Sequence, residues 1–147
     1  MSSATLYYED IEEGAPVRPM FLYMDQMQLI SWAVSSGNRR AGHYDIYSTT
    51  AGGGGYPSVT GQLKTALLEK VVMDWLGPKA WIRKMQVQYR KWDYFFDMKK
   101  FTGAVVGKRI EDGQGVIELD LQMENSKGEP TTKGKIVVEV PLREAAA

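Results

Sequence analysis

The sequence predicts an α+β domain in which a curved antiparallel sheet wraps around one long central helix. Three observations carry that prediction. Residues 60–76 hold an apolar arc covering roughly half a helix circumference. Everything after Gly77-Pro78 alternates apolar and polar residues in strand period. Short hairpin signals, not crossover helices, separate those strands. At 147 residues the chain reads as one domain over 1–147, long enough to bury about two-thirds of its unfolded surface.

Taken in order, Tyr7–Glu13 form an entry segment closed by a turn at Gly14. Val17–Tyr23 is apolar but keeps company with Pro16 and Pro19, which suits an edge strand because proline cannot donate to a ladder. Asp25 opens a helix, with Gln28 three residues on bonding back in a capping box. Leu29, Ile30, Trp32 and Ala33 form its buried side, and Ser35-Ser36-Gly37 ends it. Gly37–Gly61 reads as a loop too long and too glycine-rich, at Gly52–Gly55, for a plain connector.

The central helix runs from about Thr60 to Leu76. Leu63, Leu67, Val71 and Trp75 share one face, and Leu68, Val72 and Leu76 widen it. Gly77-Pro78 stops it. Strands follow at Trp81–Trp92, Met98–Arg109, Val116–Met123 and Lys135–Leu142, with an aromatic corner at Tyr94-Phe95-Phe96. Asp112-Gly113 and Asn125–Gly128 are the hairpin turns. So small a sheet leaves an unpaired edge and an uncovered apolar end, so the chain is expected to form at least a dimer. Ala145–Ala147 reads as an appended tail.

Composition narrows the chemistry. The chain has no cysteine and one histidine, which excludes disulfides and thiolate nucleophiles and argues against a metal site; no cofactor is called for. No apolar run approaches the roughly 20 residues of a membrane span. Met1–Ala4 lacks the basic and apolar regions of a leader, so a cytoplasmic address is expected. Net charge is zero but unevenly spread: residues 64–109 carry eleven bases against four acids. That basic middle either steers an anionic ligand or simply solvates strand faces, and no nucleic-acid-binding signature accompanies it.

The functional reading centres on the long loop. His43 is the only histidine, and Gly61 stands where the central helix begins. A neutral imidazole and a free backbone N–H are what a reaction on a carbonyl compound needs.

Three stretches resemble the MaoC-like hydratases and dehydratases, single hot-dog domains that act on enoyl-CoA thioesters. Glu9–Gly14 is similar to the family's entry segment, Gly37–Asp45 to its hydratase signature, and Pro57–Gly61 to the segment leading into the central helix. The resemblance implies a single hot-dog fold, an (R)-specific hydratase or dehydratase activity, and a homodimer or a heterodimer with another hot-dog chain. There are departures. The family's catalytic aspartate aligns with Asn38, its Asn-Pro pair with Arg40-Ala41, and the histidine before the helix glycine with Thr60. Lys70–Pro78 also resembles small subunits of heteromeric hydratases that act on steroid side-chain CoA thioesters.

In the role the resemblance implies, His43 takes a proton from water and returns it to carbon, while the Gly61 N–H polarises the thioester carbonyl. Only glycine would let a ligand approach that backbone so closely. Asn38 cannot titrate but can orient His43 or the water. The missing base is then Asp45 or Glu69, with Glu69 the better placed, about two turns beyond Gly61; otherwise a partner subunit supplies it, or the chain binds acyl-CoA without turning it over. Arg39 and Arg40 hold CoA phosphates or pair with a partner chain; Arg90, Lys91 and Thr60 are further substrate-binding candidates. Trp92, Tyr94, Phe95 and Phe96 line an acyl pocket or pack in the core or a dimer. A hot-dog thioesterase is a third function, one that needs a carboxylate such as Glu69.

Overall fold

The computed structural model describes residues 5–53 and 55–143; the leader reading at Met1–Ala4 and the tail reading at Ala145–Ala147 lie outside them. Its axis is α3, Gly61–Leu76. Thr60 caps it by accepting the Leu63 N–H at 3.1 Å, and Gly77 ends it with a left-handed φ of 89°. All seven apolar residues of the expected face are buried, with Leu68, Val72 and Leu76 fully so.

Five antiparallel strands wrap that helix in the order β1-β3-β4-β5-β2: Met20–Met24, Asp97–Glu111, Gln114–Glu124, Pro130–Val140 and, at the far edge, Trp81–Tyr89. The inward row of β4 (Ile117, Leu119, Leu121, Met123) and that of β5 (Ile136, Val138, Val140) are buried, as strand alternation requires. Register shifts in β2 at Ile82/Lys84 and in β3 at Val105/Gly107 mark irregularities of the kind that bend a sheet. Asp112 and Gly113 both take positive φ, 53° and 76°, the backbone that a two-residue hairpin needs. A curved sheet around a central helix is the expected hot-dog arrangement. No helix among the described residues is long and apolar enough to cross a membrane.

Three details refine or correct the sequence reading. The loop after α1 (Gln26–Ser36) is not structureless: it holds a 3-10 turn, Ala41–His43, and a short helix α2, Ile46–Ala51. Asp45 caps α2 through the Tyr47 N–H at 2.9 Å. The capping box of α1 is half made. Asp25 accepts the Gln28 N–H at 2.9 Å, but the Gln28 Oε1 is buried without a partner. Finally, β2 stops at Tyr89, before Trp92, because the chain turns there: the Arg90 and Lys91 N–H groups both donate to the Thr131 carbonyl.

Candidate active site

His43 ends the 3-10 turn, and its orientation is set by the segment leading into α3. Its Nδ1 lies 2.9 Å from the Ser58 carbonyl and 3.3 Å from the Ser58 hydroxyl. A carbonyl only accepts, so Nδ1 carries the proton and Nε2 keeps a free lone pair. The Ser58 N–H donates back to the Gly42 carbonyl at 3.2 Å, which closes the pairing. The imidazole is therefore held as the tautomer that can act as a base at Nε2.

Three residues on, Gly61 is the first residue of α3, and its N–H has no acceptor among the described residues. The structure adds a reason for glycine here beyond the sequence reading. A Cβ at Gly61 would lie 2.8 Å from the ring of Tyr89, so a side chain of β2 already favours the bare backbone. The Tyr89 hydroxyl is pinned in turn to the Thr65 Oγ1 at 2.7 Å. Thr60 is buried and its Oγ1 accepts from Leu63, so it serves the helix cap.

A cavity of about 380 Å³ opens at this helix end, lined by Gly61, Lys64, Tyr89, Arg90, Lys91 and Trp92. It brings Arg90 and Lys91 to Gly61. Arg90 also donates to Gln88 at 2.5 Å, and Lys91 pairs with Glu129 at 2.6 Å. His43 is joined to this region through Ser58 but is not among the residues lining the cavity. A second, apolar groove of about 490 Å³ runs between β1, α1 and α3, lined by Met20, Leu22, Trp32, Leu63 and Leu67 among others.

The remaining candidates divide. Asn38 is half-buried; its N–H donates to the Ser36 hydroxyl at 3.3 Å, and its amide has no partner among the described residues. Arg39 and Arg40 are exposed, with no ion pair among the described residues. Asp45 is committed to capping α2, where hydrogen bonding from the Ser48 hydroxyl, with help from the Tyr47 N–H, holds its carboxyl below the usual range. Glu69 is exposed on α3 and, like His43, is not among the residues lining the Gly61 cavity. The aromatic corner also splits. Phe95 is buried against Tyr56 at 5.6 Å between ring centroids, whereas Phe96, at a left-handed φ of 55°, and Trp92 are exposed.

The sequence reading missed a buried ionic cluster beside Gly61. Asp93 is 1% exposed, and its carboxylate faces Lys64 at 2.6 Å and Lys99 at 3.0 Å, as ion contacts outside hydrogen-bond alignment. Lys99 also holds Asp97 at 2.6 Å. Burial pushes the Asp97 carboxyl up, but hydrogen bonds from Lys99 and Ser126 outweigh it, and the net shift is downward. The one sequence signal was an acid set among aromatics, Trp92-Asp93-Tyr94.

No protein-family model matches the chain. It is 26% identical over 132 residues to the 3-oxo-4,17-pregnadiene-20-carboxyl-CoA hydratase beta subunit of Mycobacterium tuberculosis, covering 90% of this chain and 97% of that one. Among solved structures it is similar to the (R)-hydratase PhaJ1 of Pseudomonas aeruginosa, with a TM-score of 0.87 at 18% identity over 100% of this chain and 96% of the other. It is also similar to a chain of the ChsH1–ChsH2 complex of Mycobacterium tuberculosis, with a TM-score of 0.78 at 24% identity over 88% and 98% of the two chains.

Proposed function

From the MaoC-like hot-dog fold of this chain, we propose an (R)-specific enoyl-CoA hydratase or dehydratase. The observation that carries the reading is the His43 Nδ1–H···Ser58 carbonyl bond: it leaves Nε2 free as a base and ties the ring to Ser58, three residues before Gly61 with its orphan N–H. In the hydration direction, Nε2 takes a proton from water as its oxygen adds to the β-carbon. Electrons move from the carbon–carbon double bond to the thioester oxygen, where the Gly61 N–H stabilises the developing charge, aided by the α3 dipole. His43 then returns its proton to the α-carbon, and Asn38 orients the water by hydrogen bonding. Arg90 and Lys91, with Arg39 and Arg40, are cations suited to the phosphates of CoA. A cytoplasmic address suits a CoA thioester.

A second reading is favoured by Asn38, an amide where the family has its aspartate. In it the chain completes a site with another hot-dog chain, as a partner subunit. The relative it matches is named a beta subunit, and one similar structure is a two-chain complex. Edge strand β2, which pairs only with β5 and carries exposed Trp81 and Tyr89, offers the surface for such pairing, with either a copy or a second chain.

Incubating the purified chain with crotonyl-CoA and longer enoyl-CoAs tests both. Loss of the enoyl chromophore without CoA release supports the hydratase; CoA release would make it a thioesterase. Binding with neither reaction would leave the partner role, and native mass spectrometry of material from the source cell would then reveal the second chain.

A further inference from the structure

We propose that Asp93 is a positioning residue, acting with Lys64 to fix the backbone of Ser58–Gly61. Asp93 grips that segment twice. Its carbonyl accepts the Val59 N–H at 2.8 Å, and its carboxylate holds the Lys64 ammonium, one turn into α3, at 2.6 Å. Lys64 also donates to the Lys91 carbonyl at 3.0 Å, and Tyr94 bridges Ser58 alongside. From the far side Lys99 braces Asp93 at 3.0 Å, itself anchored on Asp97. With its side chain fully buried, Asp93 touches no ligand, so whatever it does it does through its neighbours.

The segment it grips carries both groups of the candidate site: the Ser58 carbonyl that sets the His43 tautomer, and the Gly61 N–H. Packed apolar residues would stabilise this position as well as buried ions do. What the ion pair adds is direction, since a carboxylate bound to a backbone-linked ammonium defines where the helix start sits against the 91–94 loop. Displacement by about an ångström would misalign base and donor together, at a cost of about a hundredfold in rate. That catalytic consequence rests on the proposed hydratase function; the positioning of His43 does not.

Asp93→Asn alone leaves Lys64 and Lys99 buried against one remaining carboxylate, so the informative variant is Lys64→Met/Asp93→Asn, which removes one cation with one anion and keeps the Lys99–Asp97 pair. His43 is the only histidine, so ¹⁵N-histidine NMR reads this one ring. The expected result is a wild type with a protonated Nδ1 and bare Nε2, and a folded double variant with mixed tautomers. With enoyl-CoA, kcat should fall about a hundredfold and KM far less. A folded double variant with wild-type ring signals overturns the proposal. If the wild type hydrates no enoyl-CoA, the function reading fails while the NMR comparison still decides the positioning role. Should the double variant not fold, Asp93→Glu, which keeps the charge and moves the carboxylate by one methylene, faces the same two outcomes.

Discussion

The ring of Tyr89 lies against the first residue of the central helix so closely that a methyl group on Gly61 would sit 2.8 Å from its carbons. Real side-chain contacts do not come so near. A strand and a helix thus meet at the glycine, and the Thr65 hydroxyl keeps the ring from swinging away.

Gly61→Ala is therefore expected to destabilise the fold by about 1–3 kcal/mol, as overpacking does. In a Tyr89→Ala background the same change should be neutral or stabilising, because alanine suits a helix better than glycine. Thermal or urea unfolding of the four proteins checks this. An equal cost in both backgrounds would show that the ring is not what excludes the methyl.

His43→Ala should abolish hydratase turnover and leave the unfolding midpoint close to wild type, since the imidazole is half-buried and makes hydrogen bonds only to Ser58. Steady-state assay and circular dichroism on the same preparation separate the two effects. Unchanged turnover would remove His43 from the mechanism.

Asn38→Asp should raise turnover about tenfold or more by supplying a titratable carboxylate at nearly constant volume. The unpaired amide at this position makes the exchange cheap in lost contacts. Arg39 and Arg40 follow it directly and are free to compete for the new charge. A variant no faster than wild type would show that Asn38 does not stand in for a lost base.

Acid should unfold the protein partly through Asp97. Against its partial burial, hydrogen bonds from Lys99 and Ser126 hold its carboxyl below the usual aspartate range in the folded state. A depressed acid contributes stability that is fully present above its unfolded pKa and is lost as pH falls through the folded one. Urea midpoints measured from about pH 5 down to about pH 3 should thus fall less steeply in Asp97→Asn than in wild type. Parallel curves would contradict this.

The edge of β2 should pair with another chain, so sedimentation at micromolar concentration is expected to show a dimer. Trp81→Glu, at the exposed start of that edge, should weaken it. A monomeric wild type would count against the pairing surface.

The sequence by itself determined the parts of this protein that depend on order along one element. The apolar arc from Leu63 to Leu76 could only be a wrapped helix, and the alternation in Ile117–Met123 could only be a strand with one buried face. Asp112-Gly113 announced its hairpin through backbone freedom alone. His43 and Gly61 stood out by residue type and by their place before a helix.

Only the tertiary structure decided what lies between elements. Lys64 and Lys99 read as part of a basic stretch that steers an anion or solvates strand faces, because a charge on a helix or strand carries no mark of burial; both are buried because loop 90–96 brings Asp93 between them. Tyr89 explains Gly61 from 28 residues away, through a register no local pattern records. Glu69 matched Gly61 in helical count, yet its face turns to solvent. Periodicity states which side of an element is buried, whereas the pairing of charges and rings across elements is fixed by the path of the loops and the bend of the sheet.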